Sequence, residues 1–331
     1  MLLAAVACGH AALGYTGTLT SHNLMNTRCT LPLAAAPIGV FDSGIGGLSV
    51  LQALRHELPH EHFVYLADSS HAPYGERGEA FVQERTLAIA QYLQQQCRIK
   101  ALVIACNTAT AAAVDLLRAQ LPELLLIGVE PAIKPAALSS QTRHIGVIGT
   151  RGTVHSRRFQ KLVQEHGQYA QIHVQACDGL ARAIELSTQL ENTQANAEIE
   201  ALCTEYTSAL GTFGLKTGEM DTLVLGCTHY VFAKDVLRAL LGLDVQLMDT
   251  GPAVARQTRR LLERDQLLAA EPVQAIQPSQ GCTELVQLMT TGKLSALQAA
   301  AARWLALPAD CCSAVQVHSA NATSSPINTP L

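Results

Sequence analysis

From Ile38 onward the chain alternates short apolar runs with longer stretches in which apolar residues recur three and four apart. That exchange of periods is the mark of strands alternating with amphipathic helices in a βαβ chain. The apolar runs predict strands at 37–41, 62–67, 100–105, 124–129, 144–149, 171–176, 221–226 and 244–248. The periodic stretches predict helices at Leu48–Glu57, Glu79–Gln96, Thr110–Gln120, Ser156–Glu165, from Leu180 through Glu185 onwards, Val231–Leu241 and Pro252–Glu263. Runs that are apolar throughout belong to strands buried on both faces, as in a parallel sheet covered by helices. The expected fold is α/β and doubly wound, and 331 residues favour two lobes over one.

An internal echo supports that division. Ile38-Gly-Val-Phe-Asp-Ser-Gly opens one block and Ile145-Gly-Val-Ile-Gly-Thr-Arg-Gly another, and each block later supplies a strand that ends in cysteine. Two pseudo-symmetric lobes facing each other would put the active site in the cleft between them. The first lobe is assigned to 37–133 plus 243–295, so that the strand at 244–248 and the helix after Asp249-Thr-Gly-Pro return to it, and the second lobe to 134–242. Residues 1–36 read as a flexible amino-terminal extension: Met1–Gly14 is apolar but lacks the positive flank of a secretory leader, and a start at Met25 is an alternative. The aperiodic stretch 307–331, with its Pro, Ser, Asn and Thr, is expected to be a disordered tail. No charge-free apolar run reaches the roughly 20 residues that cross a membrane.

Composition narrows the functional classes. Hydrophobic residues make up 48%, charged residues 15% and aromatic residues 4%, as in an Ala-, Leu- and Val-rich globular enzyme. A net charge of −4 with no basic stripe argues against nucleic acid or an anionic membrane as the main partner. Ten cysteines without paired regular spacings resemble neither a secreted disulfide framework nor a zinc site, so a cytoplasmic protein without a bound metal is expected.

The candidate chemistry sits at two strand ends. Ala-Leu-Val-Ile-Ala-Cys-Asn-Thr-Ala at 101–109 and Thr-Leu-Val-Leu-Gly-Cys-Thr-His-Tyr at 222–230 present Cys106 and Cys227 in matching ways. A single such cysteine is more often a buried, inert thiol. Here Asn107 and Thr108 can donate to a carboxylate, and a helix starting near Thr108 would lower the thiol pKa through its positive end. The same holds for Cys227 with Thr228, and His229 adds a group able to shuttle a proton. Asp42-Ser43-Gly44-Ile45-Gly46-Gly47 follows a strand and opens a helix, where backbone N–H groups hold an anion. A dinucleotide-binding loop, with Asp68 as its ribose acid, is one reading of that segment, but Asp42 would repel pyrophosphate. Pro73-Tyr74-Gly75 is either a plain turn or a source of a phenol and a close backbone N–H for an anionic ligand. Glu130 and Glu185 fit ordinary surface acids as well as functional ones.

Taken in order, Asp42-Ser43-Gly44, Pro73-Tyr74-Gly75, Ala105-Cys106-Asn107-Thr108-Ala109, Gly128-Val129-Glu130-Pro131 and Gly226-Cys227-Thr228-His229 resemble the glutamate racemases of the aspartate/glutamate racemase superfamily, from about Ile38 to about Leu262. The His after the second Cys-Thr separates them from aspartate racemases, which look more like Cys-Thr-Glu; an aspartate or other amino-acid racemase of the superfamily is the nearest alternative. The resemblance implies a cofactor-independent enzyme, EC 5.1.1.3, that interconverts L- and D-glutamate for peptidoglycan synthesis without pyridoxal phosphate, and a homodimer as the candidate assembly. It implies that Cys106 takes the α-proton of D-glutamate and Cys227 that of L-glutamate, with Asp42 assisting the first thiol, His229 the second, and Glu185 accompanying His229. Asp42, Ser43, Tyr74, Gly75, Asn107, Thr108, Thr228 and His229 match substrate-binding positions. Cys177-Asp178-Gly179-Leu180 departs from the family's usual Cys-Pro-Gly-Leu before the helix that carries Glu185. Some longer members are controlled by a peptidoglycan precursor near an added amino-terminal segment, and the resemblance leaves open whether residues 1–36 serve that purpose.

A rival from another enzyme class is a dinucleotide-dependent oxidoreductase built on the Gly44 loop. A non-catalytic amino-acid binder with the cleft but no thiol chemistry is a third reading.

Overall fold

A computed structural model of the chain describes residues 33–188, 193–270 and 285–318. Among the described residues ten strands form two sheets, parallel throughout. The first holds β1 (Ile38–Asp42), β2 (Phe63–Ala67), β3 (Ala101–Ile104), β4 (Leu125–Gly128), β9 (Val286–Thr290) and β10 (Cys312–Ala314), in the order β10-β9-β2-β1-β3-β4. The second holds β5 (His144–Gly149), β6 (Gln171–Ala176), β7 (Thr222–Gly226) and β8 (Gln246–Met248), in the order β6-β5-β7-β8. The first four strands of each set therefore share one arrangement, second-first-third-fourth. The echoed segments become β1 and β5, each lying between its second and third strand, and Cys106 and Cys227 both follow a third strand.

The helices are α1 (Leu48–Glu57), α2 (Glu79–Cys97), α3 (Asn107–Gln120), α4 (Ile133–Ser139), α5 (Arg151–Val154), α6 (Arg157–His166), α7 (Leu180–Ser187), α8 (Thr193–Leu210), α9 (Lys234–Leu241), α10 (Gly251–Arg264) and α11 (Leu294–Leu305). Alternation along β1 explains how they cover the first sheet. Ile38 and Val40 point into one core with Leu51 of α1, Val254 of α10 and Leu297 of α11, while Phe41 points into another with Ile89 of α2 and Val114 of α3. In the second sheet Ile145 and Val147 face Ile133 of α4 and Phe159 of α6, whereas Leu223 and Leu225 of β7 face Leu180 of α7 and Leu237 of α9. Each fully buried Leu, Ile or Phe in these layers contributes about 1.5–3 kcal/mol relative to exposure.

Three expectations change. The strand expected at 244–248 in the first lobe is β8, which pairs with β7, Thr222 opposite Gln246, and so belongs to the second sheet. The chain returns only with α10, whose Val254, Ala255 and Leu262 pack into the first sheet's core. Of the tail at 307–331, residues 307–318 are packed on the first sheet: β10 adds to β9, and Leu307, Cys311 and Val317 are buried. Val231–Leu241 is not one helix, since Thr228–Ala233 is a 3-10 turn that runs into α9. The assignments for 1–32 and 319–331 lie outside the described residues. No helix among the described residues is long and apolar enough to cross a membrane. Cys97, Cys106, Cys177, Cys203, Cys227 and Cys312 are free thiols, and Cys311 is disulfide-bonded.

Candidate active site

The carboxyl ends of β1 and β3 in the first sheet meet those of β5 and β7 in the second. Cys106 is the N-cap of α3, and its sulfur accepts a hydrogen bond from the Ala109 N–H at 3.4 Å. The thiol also lies 3.7 Å from the Ser43 hydroxyl, to which it donates. The positive helix end is thus in place, yet its expected effect on the thiol is overridden. Burial, then the nearby charge of Asp42, pushes the Cys106 pKa up to about 12, and Cys227 is close enough to add to the rise. Desolvation in a closed site outweighs one helix terminus.

Asp42 is fully buried and accepts from both halves of the molecule. Its Oδ1 takes the Gly44 N–H at 3.0 Å and the Ser43 hydroxyl at 3.1 Å, and its Oδ2 takes the Thr228 hydroxyl, 186 positions away, at 2.8 Å. Burial raises its pKa above the ordinary carboxylate value, against the lowering effects of His229, the Gly44 N–H and Thr228. Across the site, His229 Nδ1 stands 3.8 Å from Cys227 Sγ and its Nε2 2.7 Å from Glu185 Oε2. Burial alone would lower the imidazole pKa, but hydrogen bonds to Cys227 and Glu185, and their negative charge, hold it well above the ordinary value. The imidazolium that results donates to a sulfur on one side and a carboxylate on the other.

The Gly44 loop binds anions that belong to the protein itself. Its Gly44 N–H goes to Asp42 and its Ile45 N–H to Glu185 Oε2 at 3.0 Å. A pyrophosphate therefore finds these donors taken. The dinucleotide reading loses its acid as well: Asp68 is wholly buried, gripped by Arg85 at 2.9 and 3.0 Å, by the Tyr74 hydroxyl at 2.6 Å and by the Thr291 hydroxyl at 2.8 Å. Glycine is required at this loop because the other half comes so close. A Cβ on Gly44 would collide with the Glu185 carboxylate, and one on Gly46 with the His229 ring and the Thr228 hydroxyl.

Of the residues singled out from sequence, Asp42, Ser43, Cys106, Asn107, Thr108, Cys227, Thr228, His229 and Glu185 are brought to this junction. The Tyr74 phenol is not free to meet a ligand, because it donates to Asp68; the loop's remaining offer is backbone, packed where a Cβ on Gly75 would stand 2.5 Å from Thr150 Cβ. Glu130 forms a partly exposed pair with Arg158 at 2.6 Å. Sequence reading missed Thr150 and Thr153, which form a buried hydroxyl trio with Thr108 at 2.9, 3.3 and 3.0 Å. The echo offered a clue, since Thr150 follows β5 as Ser43 follows β1. Asn107 is buried, and neither its Oδ1 nor its Nδ2 has a partner. Such a group costs about 1–3 kcal/mol unless something polar meets it, which makes it a natural ligand contact.

The Asp178 substitution for the family's proline does not disturb α7. Asp178 pairs with Arg151, and Gly179, at φ +78°, supplies the left-handed turn into the helix that carries Glu185.

Two buried thiols thus lie at equivalent strand ends, Cys106 beside Asp42 and Cys227 beside His229. The Asp/Glu/hydantoin racemase family matches residues 38–258. The glutamate racemase of Ectopseudomonas mendocina is 46% identical over 240 residues, which is 72% of this chain and 87% of that protein. Glutamate racemase isoform RacE1 from Bacillus anthracis superposes with a TM-score of 0.69 at 31% identity, covering 86% of this chain and 97% of its own. The Escherichia coli glutamate racemase in complex with L-glutamate and the activator UDP-MurNAc-ala gives a TM-score of 0.66 at 31% identity, covering 81% and 95%. The chain belongs to the Asp/Glu/hydantoin racemase family.

Proposed function

We infer that this chain is a glutamate racemase, EC 5.1.1.3, interconverting L- and D-glutamate and supplying the D-isomer for peptidoglycan in the cytoplasm. The observation that carries the reading is the placement of Cys106 and Cys227 at the same point of two matching strand sets, within electrostatic reach of each other. Inverting a stereocentre needs one sulfur to take the α-proton while a protonated sulfur on the other face delivers one, so two like groups must rest in unlike states. The surroundings support that asymmetry. Burial and Asp42 keep Cys106 a thiol, ready to give a proton, and the charged His229 faces Cys227 as it receives one from L-glutamate. For D-glutamate the roles exchange, with Asp42 beside Cys106 as its assistant.

The α-proton is a very weak acid, so donors must stabilise the developing carbanion in a site closed to water. The unpartnered amide of Asn107, the hydroxyl of Thr108 and the Tyr74–Gly75 backbone are assigned to the substrate's carboxylates, and the Ser43 and Thr228 hydroxyls, whose protons go to Asp42, accept from its amino group. Thr150 and Thr153 extend that set through Thr108. A homodimer is the proposed assembly.

Circular dichroism of L- or D-glutamate incubated with the protein tests the reading. Racemisation from both sides is expected. Cys106→Ser and Cys227→Ser should each lose it by at least about 100-fold, the scale of general acid–base catalysis. Substantial racemisation by both variants would overturn the assignment, and α-proton exchange of L-aspartate in deuterated water at a rate matching L-glutamate would shift it to a broader racemase.

A further inference from the structure

Resting on that reading, we propose that His229, Glu185 and the cleft beyond them form the proton outlet that resets Cys227 between turnovers. The two thiols finish each L-to-D turnover in the wrong states: Cys227 protonated and Cys106 a thiolate. One proton must leave the Cys227 side, and one must reach Cys106, before another L-glutamate can react.

The two sides differ in how they connect to solvent. On the Cys106 side, Asp42 is completely buried and both its oxygens are taken by Gly44, Ser43 and Thr228. On the Cys227 side, the Glu185 side chain is 17% exposed and, with His229, borders a cleft of about 420 Å³ walled by Ser69, Ser70, Arg182, Leu186, Lys293 and Ala296. The relay atoms are in sequence: Cys227 Sγ to His229 Nδ1, 3.8 Å; His229 Nε2 to Glu185 Oε2, 2.7 Å; and Glu185 Oε1, which also accepts from the Ser69 hydroxyl at 3.4 Å, at the cleft.

Once Cys227 has taken up a proton, its charge no longer holds two protons on the ring, and the imidazolium yields one: Nε2–H breaks as the Glu185 O–H forms, and Glu185 passes that proton to water in the cleft. The ring's remaining proton moves from Nδ1 to Nε2 by exchange with water, and Nδ1 then takes the thiol proton, the S–H bond breaking as Nδ1–H forms, which restores the thiolate and the imidazolium. One proton has gone from sulfur to solvent, and no electrons have changed hands. Cys106 regains its proton from water that enters the substrate pocket after product leaves.

The reset follows product release, so obstructing it lowers kcat but not kcat/KM, which reports only on the steps from free enzyme through chemistry. Ala296→Leu places a larger side chain in the cleft wall without touching Cys227, His229 or Glu185. Its kcat is expected to fall at least fivefold in both directions, with kcat/KM within twofold of wild type and a larger solvent deuterium effect on kcat. Glu185→Gln, which retains an oxygen for His229 but cannot carry the proton, is the second variant, and kcat should again fall further than kcat/KM. Unchanged kcat in Ala296→Leu, or a proportional loss of kcat and kcat/KM in both variants, overturns the outlet while leaving the racemase reading intact. Absence of racemisation by the wild-type protein overturns that reading itself.

Discussion

Replacing Gly46 with alanine tests whether closeness between the two halves, rather than chemistry alone, sets the rate. A Cβ there would stand 2.6 Å from both His229 Cε1 and the Thr228 hydroxyl oxygen. Ordinary contact begins near 3.4 Å, so each must withdraw by about 0.8 Å. Adding that to the 2.8 Å bond from Thr228 to Asp42 takes it to about 3.6 Å, beyond a hydrogen bond. The buried Asp42 oxygen then lacks a donor, at a cost of about 1–3 kcal/mol. His229 moves relative to Cys227 by nearly the same distance, and a 1 Å misplacement of a catalytic group costs on the order of 100-fold in rate. Gly46→Ala should therefore lower kcat for glutamate about 100-fold by circular dichroism and reduce the urea midpoint. Gly78→Ala is the control: nothing lies within 4 Å of its Cβ position. A Gly46→Ala enzyme with wild-type kcat would refute the argument that these contacts hold the relay.

Two further outcomes concern stability. Burial would raise the Asp68 pKa, but Arg85, Tyr74 and Thr291 hold it below the ordinary value. The unfolded chain thus binds this proton more readily, and the stabilisation is complete above roughly pH 4, lost as pH falls through the folded pKa. Asp68→Asn should flatten the acid limb of Tm against pH, and an unchanged acid limb would count against this account. Lys100, whose side chain is fully buried, lies 2.5 Å from Glu61 Oε2. Removing the carboxylate in Glu61→Leu leaves a buried charge unpaired and should cost about 3–5 kcal/mol in urea unfolding, most of it regained in Glu61→Leu/Lys100→Met. A loss under 1 kcal/mol in the single variant would mean that water reaches Lys100.

Local structure is legible in the sequence where it leaves a period. Strands β1 to β7 and helix α1 lie within two residues of the apolar runs and periodic stretches that predict them, and the matching Cys-Asn-Thr and Cys-Thr-His ends were visible as strand endings. Asp42 and Ser43, one at a strand's last residue and one just after it, were legible for the same reason. The tertiary structure decided what has no period. Asp42 and Thr228 are 186 positions apart, and Glu185 and Ile45 140. Their pairing depends on how two sheets meet, which no window of sequence encodes. The same holds for β8, whose short run fits either sheet until β7 accepts it, for β10 on the far edge, and for the Thr108–Thr150–Thr153 trio. Protonation was decided there too. A helix terminus is readable from sequence and lowers a thiol pKa, but the desolvation that raises that of Cys106 to about 12 exists only once both halves have closed over it.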